Sequence, residues 1–238
     1  MRITAENLDS IQLNRRIRNA SGAVLIDRCF GQRYIGSGFK DKKITIYGTP
    51  GNALGSYLDG ASIIVYGNGQ DMIGDTMNGG EIIIHGNAGD GLGYAMRGGR
   101  IFVRGSAGCR AGIHMKQYQD QKPVIVIGGG TGSFLGEYMA GGMIVVLGIG
   151  IEAVPVGDFT GTGMHGGCIY IRTSRELTNL PDQVRAEIAS WEDKQAILPL
   201  LSRFGEYFGL DGRKLAEDRY YLLRPNTDRP YAQLYTKN

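Results

Sequence analysis

Three cysteines, three histidines and one tryptophan in 238 residues leave little material for several common chemistries. Cys29, Cys109 and Cys168 are odd in number and include no Cys-x-x-Cys pair, which argues against a disulfide framework and against an iron-sulfur site. Reduced, mostly buried thiols are the expectation. His165 and Cys168 stand three residues apart, a two-ligand fragment where zinc takes three or four protein ligands. Charge of one sign is also lacking: 26 Lys and Arg against 23 Asp and Glu give +3, too little to imply nucleic acid. The short cluster Arg15, Arg16 and Arg18 reads as a solvated or locally paired edge. No apolar run reaches the roughly 18 residues of a membrane helix, and the N-terminus has no charged-then-apolar secretory pattern. The chain is therefore expected in the cytoplasm.

Glycine is what the sequence has in abundance, with 39 residues. Gly36, Gly55, Gly74, Gly93 and Gly112 are spaced 19 residues apart, and Gly136 and Gly161 continue the series. Three residues after each stands Phe39, Leu58, Met77, Met96, Met115, Met139 or Met164. Just before each stands Ile35, Leu54, Ile73, Leu92, Ala111, Leu135 or Thr160. Short β-branched runs ending in glycine recur at residues 44–48, 63–67, 82–86, 101–105, 124–128 and 144–148. One strand per unit with a period near 20 points to a solenoid, in which no unit buries its own apolar face but a stack builds a continuous core. The Leu-x-x-Leu-x-Leu frame of leucine-rich repeats is absent. The fold class is all-β, a right-handed parallel β-helix solenoid of 19-residue coils, because stacked corners need backbone angles that glycine adopts most easily.

Alternation along the strands sorts their side chains. Ile44, Ile63, Ile82, Ile101, Val124, Ile144 and Ile169, with Ile46, Val65, Ile84, Val103, Val126, Val146 and Ile171, are expected to point inward. That leaves Thr45, Ile64, Ile83, Phe102, Ile125, Val145 and Tyr170 as one outward column, too apolar for a solvated face. Two covers fit it: the chain's own C-terminal segment, or another subunit.

Gly161-Thr162-Gly163-Met164-His165-Gly166 matches Gly-x-Gly-x-x-Gly letter for letter. A dinucleotide site must follow a strand and open a helix, whereas this segment leads into the strand-like residues 168–172. Residues 128–132 lack the Lys and Ser/Thr of a phosphate loop. Asp59, Asp71, Asp75, Asp90 and Glu137 are scattered around turns, where Asp bonds its local backbone. No Gly-x-Ser-x-Gly elbow occurs, and no cysteine lies in a nucleophile motif. No catalytic, cofactor-binding or metal residue is assigned.

Beyond residue 175 glycine thins out, and four of the seven prolines (Pro181, Pro199, Pro225, Pro230) occur. The organisation read here is a β-helix over residues 1–175 and a helical and extended cap over 176–238. Pro181 suits a first helical turn, with Val184, Ile188 and Trp191 on one face. A second helical stretch is expected over residues 195–207, interrupted or bent near Pro199 and stopped by Gly209. The tail over residues 220–235 reads as extended.

Several segments together resemble the C-terminal GXGXG domain of glutamate synthase large subunits. Gly67-Asn68-Gly69-Gln70-Asp71-Met72-Ile73-Gly74 and Met77-Asn78-Gly79-Gly80 are similar to its Gly-x-x-x-Asp-x-x-Gly-x-x-(Leu/Met)-x-Gly-Gly pattern. Gly136-Glu137-Tyr138-Met139-Ala140-Gly141-Gly142, running into Met143-Ile144-Val145-Val146-Leu147-Gly148, is the closest single match. Asn14, Arg18 and Gly22-Ala23 resemble the domain's opening motif, and the likeness covers roughly residues 13–172. The resemblance implies a β-helix that buttresses catalytic domains without supplying their residues. It further implies a non-catalytic subunit of a glutamate-synthase-type complex, with FMN and iron-sulfur groups in partner chains carrying the glutaminase and FMN domains. The related β-helical subunit of formylmethanofuran dehydrogenases has a similar glycine pattern and gives an alternative assembly. A self-sufficient β-helix enzyme with a groove site is the alternative of another class, and a second copy of the chain is a further candidate partner.

Overall fold

A computed structural model describes residues 1–226. The solenoid strands are β1 (Arg2–Thr4), β2 (Val24–Phe30), β3 (Lys43–Thr49), β4 (Asp59–Tyr66), β5 (Gly79–Ile84), β6 (Arg100–Val103), β7 (Val124–Ile127), β8 (Ala140–Val146) and β9 (Gly166–Arg172). Each pairs in parallel with the next in sequence order, which gives the parallel β-solenoid that the glycine period predicts. Helix α1 (Ser10–Asn19) lies between β1 and β2. Its capping box pairs Asp9 with Gln12, and its buried Leu13 and Ile17 seal the first coil.

Inside, isoleucine stacks on isoleucine: Ile44 registers with Ile63, Ile63 with Ile82, Ile82 with Ile101, Ile101 with Ile125, Ile125 with Ile144 and Ile144 with Ile169. Met77, Met96, Met115, Met139 and Met164 are fully buried beside them. Each corner glycine from Gly36 to Gly161 has φ between 65° and 77°. A Cβ on Gly36, Gly55, Gly74, Gly93, Gly112 or Gly136 would come within 2.4 to 2.7 Å of an isoleucine Cδ1 in the inner column. Real Cβ atoms do not approach that closely, so the period is set by packing as well as by backbone angle.

The register corrects the inward assignment in β7. Ile125 and Ile127 point into the core, whereas Val124 and Val126 join the outer cluster. The cause is the run Gly128-Gly129-Gly130. Gly129, not Gly128, takes the strand-ending position, with its N–H on the Gly105 carbonyl at 2.8 Å. The outward column is therefore Thr45, Ile64, Ile83, Phe102, Val126, Val145 and Tyr170.

After β9 the chain turns back as strands rather than opening with a helix. β10 (Val184–Ile188) and β11 (Tyr220–Pro225) pair antiparallel, and β11 joins the solenoid edge at β9. The expected helix through Val184, Ile188 and Trp191 is thus corrected to a strand followed by α2 (Trp191–Gln195). Val184 closes the last coil. Its Cγ2 would meet a Cβ on Gly161 at 2.8 Å, the place isoleucine holds over the other corners. Trp191 is 58% exposed and shares no buried face with Val184.

Helix α3 (Leu198–Phe208) is the second expected helix with a later start: Gln195 ends α2, Pro199 stands in the first turn of α3, and Gly209 takes the left-handed conformation at its end. Helix α4 (Gly212–Glu217) follows. Leu201, Phe204 and Phe208 pack with Ile83, Phe102, Val126, Val145 and Tyr170, so the outward column from Ile83 onward is covered by the chain itself. Burying each such side chain stabilises by about 1.5 to 3 kcal/mol. Of the tail read as extended, residues 220–225 form β11, and Arg229 and Pro230 lie outside the described residues.

Candidate functional site

The corners carry a second regularity. Two residues before each corner glycine stand Tyr34, Ala53, Met72, Gly91, Arg110, Phe134 and Phe159, and two residues after stand Gly38, Tyr57, Thr76, Ala95, His114, Tyr138 and Gly163. All of them have φ between 50° and 69°. Non-glycine residues in this region cost roughly 1 to 2 kcal/mol, so glycine is the cheap choice here. Unlike the corner glycines, most of these positions carry a side chain; at Gly91 and Gly163 an added Cβ would come within 2.5 and 2.4 Å of the Met72 and Tyr138 side chains. Where bulky rings stand there they stack along the solenoid: Phe134 on Phe159 at 5.0 Å and His114 on Tyr138 at 5.3 Å. Arg110 lies over Phe134 at 4.9 Å and pairs with Glu137 at 3.1 Å. The corner face is built to present flat rings rather than acid and base partners.

The other residues singled out in the sequence are held apart in structural roles. Asp71 Oδ1 accepts the Asp90 N–H at 3.1 Å, and Asp90 Oδ1 accepts the Cys109 N–H at 2.7 Å. A parallel ladder runs from Asn68 through Asn87 to the Ser106 N–H, each step 2.8 Å. Gly89 and Gly108 make room for the aspartate ladder, since a Cβ on either would meet an aspartate oxygen of the preceding coil at 2.2 and 2.1 Å. His85 stacks on Tyr66 at 4.5 Å, and burial, with the charge of Arg104, lowers its pKa. His165 Nδ1 lies 3.1 Å from the Gly163 carbonyl. Among the described residues no group of three metal-ligating side chains comes together. Burial pushes the Cys29 thiol up to about 12 and Cys168 to about 11, which keeps both protonated and unreactive near neutral pH. Residues 161–166 form a corner and lead into β9, as their strand-like context predicts.

Two grooves lie at opposite ends of the solenoid. At the C-terminal end a groove of about 680 Å³ is lined by Ile149, Ile151, Arg172, Arg175, Leu210 and Arg219, among others. Its guanidinium groups are engaged: Arg172 with Asp218 at 2.7 Å and the Leu147 carbonyl at 2.7 Å, Arg175 with the Glu152 carbonyl at 3.0 Å, and Arg219 with Tyr221 Oη at 2.6 Å. They tie the last coil to the β11 segment. At the N-terminal end, α1 and the first corner enclose a groove of about 440 Å³ lined by Ser10, Ile11, Asn14, Arg15, Arg18, Arg33, Tyr34 and Ser37. Arg15, Arg16 and Arg18 are all exposed, as a solvated edge requires, and Arg15 and Arg18 also line this groove. Sequence reasoning missed Arg33, although the position it occupies gave a signal. Three residues before the corner glycine the column reads Arg33, Asn52, Asp71, Asp90, Cys109, Ser133 and Asp158, and only the first is basic.

On the covered sheet face, Glu81 receives hydrogen bonds from Arg203 Nη2 at 2.9 Å and from the Tyr207 hydroxyl. Burial and the neighbouring Glu81 raise the Tyr207 pKa. These groups pin α3 to β5. No helix of the described residues is long and apolar enough to cross a membrane.

Two comparisons bear on this architecture. The GXGXG motif family matches residues 1–220, which includes the whole solenoid and both grooves. Uncharacterized protein MJ1350 of Methanocaldococcus jannaschii is 44% identical over 224 residues, covering 90% of this chain and 85% of its own length.

Proposed function

The chain belongs to the GXGXG motif family, and from that premise we propose that it is a non-catalytic structural subunit of a glutamate-synthase-type assembly. In this reading separate cytoplasmic chains supply the glutaminase reaction and the FMN and iron-sulfur chemistry, and the solenoid holds them in register. The family match across residues 1–220 carries the reading. The disposition of side chains supports it. The Cys29 and Cys168 thiols are held protonated, Asp71 and Asp90 are spent on a backbone ladder, and the arginines of the C-terminal groove are tied to carbonyls and to Asp218. What the surface offers instead is extended faces of rings and guanidinium groups, which suit protein contacts.

Affinity purification of the tagged chain from its own organism tests the proposal. Co-purification of a glutamine amidotransferase chain and an FMN-binding chain in fixed proportion is the expected result. The isolated chain should be colourless and should show neither glutaminase nor glutamate synthase turnover. A stoichiometric flavin or cluster spectrum in the isolated chain would overturn it.

A further inference from the structure

The N-terminal groove has the features of a recognition surface rather than of a structural seam. Asn14 Nδ2 donates to the Ser10 carbonyl at 2.8 Å and to the Arg33 carbonyl at 3.1 Å, while the Arg33 N–H donates to Ser10 Oγ at 2.9 Å. The backbone of Arg33 is therefore clamped to α1 from both sides, and its side chain is exposed. Among the described residues no carboxylate pairs with Arg15, Arg18 or Arg33, although seven other arginines of the chain are paired. The groove lining contains no acidic residue. Arg18 lies over the Phe39 ring at 5.2 Å, which steadies its guanidinium without neutralising it.

The repeat itself supplies the comparison that separates folding from function. At the position of Arg33 the later coils carry Asn52, Asp71 and Asp90, whose side-chain oxygens each accept the N–H of the next coil. Arginine has no acceptor atom and cannot take that part. At the position of Tyr34 the other coils carry Ala53, Met72, Gly91, Arg110, Phe134 and Phe159, and the tyrosine here presents its ring to solvent, 56% exposed, beside the arginines. Ile11 on the groove wall is 73% exposed. Three guanidinium groups beside an exposed aromatic and an exposed aliphatic side chain are the mixture found at protein interfaces, where arginine binds carboxylates in a bidentate manner.

We infer that this groove docks an acidic segment of a partner polypeptide, one that alternates carboxylates with apolar side chains. The inference rests on the proposed role as an assembly subunit and names the surface through which one partner is held.

The test uses the full chain and a fluorescein-labelled Glu-Glu-Leu-Glu-Glu-Leu peptide, followed by anisotropy. Binding should weaken as salt rises. Arg15→Glu with Arg33→Glu should weaken it by about tenfold or more, with an unchanged thermal melt, since both side chains are exposed. A control pair of equal charge change, Arg97→Glu with Lys116→Glu, should change it little. Equal loss in both pairs, or none in the first, overturns the inference. So does displacement of the peptide by orthophosphate well beyond the effect of chloride at matched ionic strength, which would mark a small-anion site. In affinity purification, the groove variant should lose one partner chain that the control variant keeps. If both retain every partner, the docking inference falls and the assembly reading stands; if the unmutated chain brings down no amidotransferase or flavin chain, the assembly reading falls, while the peptide arm still decides what the groove binds.

Discussion

Gly93 and Ala95 stand two residues apart on one corner with φ of 66° and 50°, and they answer to different constraints. A Cβ on Gly93 would lie 2.5 Å from Ile125 Cδ1, so Gly93→Ala adds overpacking to backbone strain. It should cost about 2 to 4 kcal/mol in denaturant unfolding, summing those two effects. Ala95→Gly relieves left-handed strain and loosens the unfolded chain, two effects of similar size, and should stabilise by up to about 1 kcal/mol. Opposite signs for two substitutions on one turn would separate packing from conformation as the cause of the repeat. Met96 gives the core counterpart. It is fully buried, so Met96→Asp places an unpaired carboxylate in a dry stack, and a loss of at least about 3 kcal/mol is expected. An unchanged denaturation midpoint would remove Met96 from the core column.

At the scale of elements, the turn into α2 concentrates several contacts on Asp193. Its carboxylate accepts hydrogen bonds from the Ser190 hydroxyl and N–H at 2.7 and 3.0 Å and from Arg224 at 3.0 Å, and these hold its pKa below the ordinary value of 3.8. A depressed folded pKa means that the contribution is complete above the unfolded value and is lost as pH falls through the folded one. Asp193→Ala should therefore destabilise by about 1 kcal/mol at neutral pH. The gap to the unmutated chain should close below pH 3.8, as thermal melts across that range will register. The same region shows what sequence alone could and could not deliver. The inner isoleucines and methionines were legible because packing repeats every coil and tolerates few substitutes. Strand β10 was not, since Val184, Ile188 and Trp191 also fit helical spacing, and the need to close the coil over Gly161 arises only in three dimensions. The slip in β7 has a similar origin: three consecutive glycines offer several ends to one strand, and only stacking on Gly105 selects Gly129. The N-terminal groove stayed hidden because Arg33 and α1 meet through Asn14 and Ser10, contacts that no sequence spacing announces.

For the whole molecule, the decisive arrangement is that one face of the solenoid is finished by the chain's own return. The later coils would otherwise expose Ile83, Phe102, Val126, Val145 and Tyr170 as a continuous apolar strip, and α3 with β11 buries all five. Glu81, Arg203 and Tyr207 fix the helix in place from the side. Cutting the chain after Arg175 removes that cover but leaves β1 to β9, whose parallel ladders and inner columns do not depend on α3. It also leaves β9 as an unprotected edge, because β11 no longer pairs with it. An open edge beside an apolar strip favours association between copies. The truncated chain should therefore retain strand signal in circular dichroism yet elute as large or polydisperse species. Adding back a peptide of residues 176–226 should restore a single defined size, because that segment carries Val184, α3 and β11. A truncated chain that stays monodisperse and melts like the full one would show that the cover is dispensable, and that the outer strip is solvated without consequence.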